Sequence, residues 1–149
     1  MTTDGVSSLF VDTGALYARF VSNDQHHDEA QDVFGGIRDG ELAYRPLYTT
    51  RYVLTEVTRL LLYNAGHDEA QTALNAVNES NVFVVLSDTD EEFESACRRF
   101  AEYDDQDISL VDHMTAVMAE QRDVERVFTF DSDFRTLGFD VVPEDIDTV

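Results

Sequence analysis

A single doubly wound α/β domain, with a central parallel sheet flanked by helices, is the fold class this sequence predicts, and three observations predict it. Short apolar, β-branched runs alternate with stretches of helical periodicity from one end to the other. Two of those runs stop at an aspartate: Leu9-Phe10-Val11 at Asp12, and Arg126-Val127-Phe128-Thr129-Phe130 at Asp131. No linker interrupts the 149 residues, 43% of them hydrophobic, which is enough for one real core without staples.

The first strand covers 8–12 and runs into a helix over 13–21, whose apolar side carries Ala15, Leu16, Tyr17 and Phe20. A polar break, Ser22-Asn23-Asp24-Gln25-His26, leads to a second helix over 27–38, closed by Gly40. Pro46 and a short strand at 47–49 follow, after which Thr50 caps a long helix to Asn64. Another helix begins near Asp68. The run Val82-Phe83-Val84-Val85-Leu86-Ser87 has the pattern of a strand buried on both faces. A helix starts at 88–90 and reaches Tyr103, an acidic loop occupies 104–107, and Ser109 opens a helix through Gln121. Residues 126–130 form a further strand, 134–138 a short turn or helix, and Val141-Val142 an edge strand before a polar tail. The string His-Asp-Glu-Ala-Gln stands at 27–31 and again at 67–71. Acids favour a helix's first turn, so both copies read as helix starts rather than as a duplication or a histidine metal pair.

Charge sets this composition apart. Acidic residues number 31 against 10 basic ones, every one of the latter an arginine, for a net charge of -21. An acidic surface without lysine points to a high-salt cytoplasm such as that of a halophilic archaeon, where the Debye length falls to about 3 Å near 1 M salt. The single cysteine, Cys97, has no internal partner and lies on a helical pattern as a small core residue. No apolar run approaches the roughly 18 residues of a membrane span, and no basic patch precedes an early apolar stretch, so a cytoplasmic protein is expected.

With so many carboxylates serving solubility, position must single out the functional ones. Asp12 ends a buried strand, and the carboxyl ends of parallel strands are where open α/β sheets bind ligands; Asp12-Thr13 also suits an ordinary N-cap. Glu56 falls in the apolar stripe of Val53, Val57 and Leu60. An acid there must meet an arginine such as Arg51 or Arg59, hydrogen-bond donors or a metal ion. Asp112 follows Ser109 at capping-box spacing, on a helix apolar along Val111, Met114, Val117 and Met118 and small along Thr115, Ala116 and Ala119. Such a helix is buried on both sides, which turns Asp112 inward. Asp131 closes a strand as Asp12 does, with Asp133 two residues on, and turn chemistry accounts for either equally well. His26 and His27 read as exposed loop residues. His113 stands beside Asp112 with no second histidine at ligand spacing.

The flanks of these four acids, Leu9-Phe10-Val11-Asp12-Thr13, Glu56 within an apolar helix, Asp107-Ile108-Ser109-Leu110-Val111-Asp112 and Phe128-Thr129-Phe130-Asp131-Ser132-Asp133-Phe134, resemble those of the PIN domain, nearest to the VapC-type toxin ribonucleases. The resemblance spans nearly the whole chain. It implies a metal-dependent endoribonuclease with Mg²⁺ or Mn²⁺ held by Asp12, Glu56, Asp112 and Asp131, supported by Thr13, Thr129, Ser109 and Asp133. Gly14 stands where many relatives carry serine. The expected partners are an RNA substrate, a cognate antitoxin protein and a second copy of the chain in a homodimer, with no membrane. The chemistry is coherent without the family: carboxylates about 4 Å apart repel by about 4 kcal/mol per pair at an effective dielectric of 20 until a hard cation joins them. A PIN-like module that binds RNA or protein without cutting, and an RNA-processing nuclease that is no toxin, are the alternatives. A receiver-like domain lacks its late lysine here, and a haloacid-dehalogenase-type phosphatase would need an aspartate where Gly14 stands.

Overall fold

Parallel strands buried between helices sort their side chains by alternation, odd residues to one layer and even ones to the other. The computed structural model describes residues 5–145, which leaves the end of the polar tail outside the described residues. Five strands, β1 (Ser7–Val11), β2 (Tyr44–Thr50), β3 (Phe83–Leu86), β4 (Arg126–Phe128) and β5 (Asp140–Val142), pair in parallel in the order β3-β2-β1-β4-β5. Between them run α1 (Thr13–Phe20), α2 (His27–Arg38), α3 (Arg51–Asn64), α4 (His67–Asn78), α5 (Asp90–Glu102), α6 (Leu110–Gln121) and the single turn α7 (Asp133–Thr136). Leu9 and Val11 of β1, with Phe128 and Val142, pack into the core shared with α1 to α4. Phe10, with Val127 and Val141, faces the opposite core of α5, α6 and α7.

From β1 the chain steps outward through β2 to β3, then returns to β1's other side for β4 and β5. Strand order therefore reverses between β1 and β4, and their carboxyl ends open the crevice where such sheets bind ligands. The floor of that crevice is closed by the Asp12 amide donating to the Phe128 carbonyl at 3.0 Å.

Five expectations change. β3 is an edge strand, with Val84 40% exposed, rather than one buried on both faces. Its apolar run reflects Val82, Phe83 and Val85 on one core and Leu86 on the other. Cys97 is exposed, because Ala96 takes the core position on α5 beside it. The buried stripe of α3 is Val53, Leu54, Val57 and Leu61, so Leu60 leaves it and Glu56 stands at its margin. β2 begins at Tyr44, earlier than expected, and β4 stops at Phe128, although the Thr129 amide still donates to the Val142 carbonyl at 3.0 Å. Helix α6 is buried from His113 to Ala119, as a helix with two apolar sides should be, and both His-Asp-Glu-Ala-Gln strings open helices. Among the described residues no helix is long and apolar enough to cross a membrane.

Candidate active site

A cleft of about 380 Å³ opens at the strand-order reversal, lined by Asp12, Thr13, Gly14, His26, Glu56, Ser109, Asp112, Thr129, Phe130 and Asp131. Asp12, Glu56, Asp112 and Asp131, with Thr13, Thr129 and Ser109, thus line one cleft, brought there by the ends of β1 and β4, the start of α1, and α3 and α6.

Asp12 occupies the N-cap position of α1 in extended conformation, but its side chain does not cap the helix. Instead Oδ2 accepts from Thr129 Oγ1 at 2.9 Å, while Oδ1 is buried without a hydrogen-bond partner. Burial pushes its carboxyl up to about 6, the charges of Asp131 and Glu56 adding to a rise that the Thr129 hydroxyl and the nearby Thr13 amide oppose. The Thr13 hydroxyl is likewise buried and unpaired.

Thr129 joins the two strand ends. Its hydroxyl donates to Asp12 and accepts from the Asp131 amide at 3.0 Å; the Asp133 amide in turn donates to Asp131 Oδ1 at 2.9 Å. This chain of bonds draws Asp133 into the site: carboxylate oxygens of Asp112, Asp131 and Asp133 all lie within 4.8 Å of one another. Asp133 is raised above the usual carboxylate range by burial and by Asp131 beside it. Asp131 and Asp133 are therefore neighbours in one cluster, not alternatives.

Ser109 caps α6 by accepting the Asp112 amide at 3.1 Å, and the Asp112 carboxyl lines the cleft all the same. Burial first, then the charges of Asp12 and Asp131, push Asp112 up to about 7. Glu56 lines the cleft from α3, and among the described residues neither Arg51 nor Arg59 forms an ion pair with it. Among the described residues no arginine lines the cleft. Arg19 and Arg45 lie with Arg38 on a separate groove beside the starts of β2 and β3, and Arg99 is held by Glu120. His113 is fully buried in the α6 core, with Tyr103 against its ring at 5.1 Å, and does not line the cleft.

His26 was the residue the sequence did not offer. It sits at the start of α2, and its ring stacks on Phe130 at 4.2 Å with planes 4° from parallel, on the wall of the cleft. A loop histidine carries no periodic signal, so only the folded chain brings it there.

The sequence profile of the PIN domain matches residues 9–140, from the first strand to the start of the last. The chain belongs to the PIN domain family. This PIN domain is 29% identical over 139 residues, 91% of its length and 99% of the relative's, to the 23S rRNA-specific endonuclease VapC20 of Mycobacterium tuberculosis. The crystal structure of that protein, described as a Sarcin-Ricin loop cleaving toxin, superposes with a TM-score of 0.80 at 27% identity, over 89% of this chain and 97% of the other. FitAcB from Neisseria gonorrhoeae shares the fold at a TM-score of 0.63 and 13% identity, over 93% of this PIN domain and 99% of that chain. VapBC2 from Rickettsia felis, solved with a DNA fragment, shares it at 0.62 and 10%, over 89% and 96%.

Proposed function

We propose that this PIN domain is an endoribonuclease that hydrolyses phosphodiester bonds with Mg²⁺ or Mn²⁺, and that it is the toxin of a toxin–antitoxin pair acting in the cytoplasm. The observation that carries the reading is the acid cluster at the sheet's reversal point: three carboxylates within 4.8 Å, with the buried, unpaired Oδ1 of Asp12 in the adjoining cleft. An all-oxygen, strongly acidic donor set is the kind that suits a hard divalent cation and repels itself without one. Asp12, Glu56, Asp112 and Asp131 would hold the ion, joined by Asp133. When bound, the ion lowers the pKa of a water and stabilises charge on the leaving oxygen.

The chain's own residues then have separate tasks. Thr129 holds one oxygen of Asp12 and so restrains its carboxylate at the cleft. Ser109 anchors the first turn of α6 and so the position of Asp112. Glu56, free of an arginine among the described residues, is available to orient a water or complete the ion's charge balance. The likeness to VapC20 supports RNA as substrate and a cognate antitoxin as partner, and homodimer formation is proposed with them. A halophilic source accords with the net charge of -21.

The test is cleavage of a structured RNA by purified protein in molar KCl, with Mn²⁺ or Mg²⁺ against a chelator. Cutting that needs the metal, and leaves no 2′,3′-cyclic phosphate because water rather than the RNA's own 2′-hydroxyl is the nucleophile, is expected. Cutting that persists in chelator and leaves a cyclic phosphate would exclude metal-assisted hydrolysis.

A further inference from the structure

We infer that the stacked pair His26–Phe130 is a nucleobase subsite, which holds an unpaired base of the RNA beside the scissile phosphate. The inference rests on the ribonuclease reading above. The two rings lie 4.2 Å apart and 4° from parallel on the wall of the same cleft that Asp12, Glu56, Asp112 and Asp131 line. Phe130 is backed by Phe128 at 5.8 Å, and the His26 side chain keeps 34% of its surface exposed, so part of the imidazole stays open to a ligand.

The platform is built in place. The His26 amide donates to Asp24 Oδ2 at 2.9 Å, the His26 carbonyl accepts the Ala30 amide at 2.9 Å, and Nδ1 meets Glu29 Oε1 at 3.4 Å. Neighbouring His27 pins the same loop through Nδ1 and the Ala18 carbonyl, 2.7 Å apart. A flat ring held this way costs little further ordering when a base stacks on it.

Physical chemistry favours a base over other ligands. The cleft is acidic and holds no arginine among the described residues, so side-chain contacts to phosphate supply little affinity there, and what they supply fades as salt rises. Stacking on an aromatic face is uncharged and open to any base, so it survives the molar salt that the composition implies. The bland competitor is that the stack only ties the α1–α2 loop to the segment after β4.

The experiment uses full-length protein and an RNA whose cut site has been mapped, remade with the base removed from the nucleotide on one or the other side of the cut. Wild type is expected to lose roughly 10- to 100-fold in KM on one of the two base-free RNAs, with kcat little changed. His26→Ala should show that loss on the intact RNA and be indifferent to base removal; His26→Leu, which keeps bulk without a π-face, should behave as His26→Ala does, and His26→Phe should restore wild-type KM. If His26→Ala and His26→Leu still discriminate against the base-free RNA as wild type does, the subsite is overturned while the nuclease reading stands. If wild type cuts no RNA with Mn²⁺, both fall.

Discussion

Asp12 carries the electrostatic tension of the site most plainly, with one oxygen tied to Thr129 and the other buried and unpaired. Its carboxyl titrates near 6 and that of Asp112 near 7, both above an unfolded value near 4. A raised acid binds more protons folded than unfolded, so its contribution to stability is complete below about pH 4 and is lost as pH rises through 6 and 7. Without divalent metal, Asp12→Asn should therefore melt higher than wild type at pH 8, by on the order of 3 kcal/mol at most, and match it near pH 4. Thermal melts in chelator across that range check this, and a variant that melts lower at pH 8 would show that the carboxylate is stabilised rather than strained. The sequence brought Asp12, Glu56, Asp112 and Asp131 forward by their positions, and all four line the cleft. It could not choose between Asp131 and Asp133, because the choice lies in the Thr129-to-Asp131-to-Asp133 bond chain, nor could it offer His26, which meets Phe130 across the fold.

Helices α5 and α6 show how a secondary element is fixed by one polar contact. Glu92 completes a capping box with Thr89 and, 6% exposed, also accepts from Arg122 Nη1 at 2.8 Å, while Arg122 donates to the Met118 carbonyl as well. Burial alone would raise Glu92, but the Thr89 amide and Arg122 outweigh it and hold the carboxyl below its usual value. Removing one partner of a buried pair strands the other, so Arg122→Ala should cost about 3 kcal/mol in denaturant unfolding at pH 7. Arg99→Ala, which breaks the more exposed pair with Glu120, should cost less than about 1 kcal/mol. Equal costs would remove the special standing of Glu92. Elements were legible wherever periodicity or a cap marked them; the edge placement of β3 was not, because an apolar run reports burial of its residues and not which strands flank them. Cys97 misled for a related reason: with Ala96 beside it, a helical pattern does not say which small residue faces the core.

The whole molecule carries a charge of -21 with no lysine to offset it, and self-repulsion on that scale destabilises a compact chain unless salt screens it. Diluting KCl from molar to about 0.1 M lengthens the Debye length from about 3 to about 10 Å, and the melting temperature should fall with it. A melting temperature indifferent to KCl would leave the acidic surface without this account. Sheet order was readable as far as the alternation of strands and helices, and it is the reversal between β1 and β4 that turns four scattered acids into one cleft.

The central claim is that this cleft is one divalent-metal site, and a Mn²⁺ titration of the folded protein by calorimetry, in molar KCl, tests it most directly. Wild type at pH 6.5 should bind Mn²⁺ and release protons, because Asp12 and Asp112 are partly protonated before the ion enters, and affinity should rise towards pH 8. Asp112→Asn, which keeps the shape of the side chain and removes its charge, should weaken binding at least tenfold. Unchanged affinity in Asp112→Asn, or binding with no proton release at pH 6.5, would contradict the site.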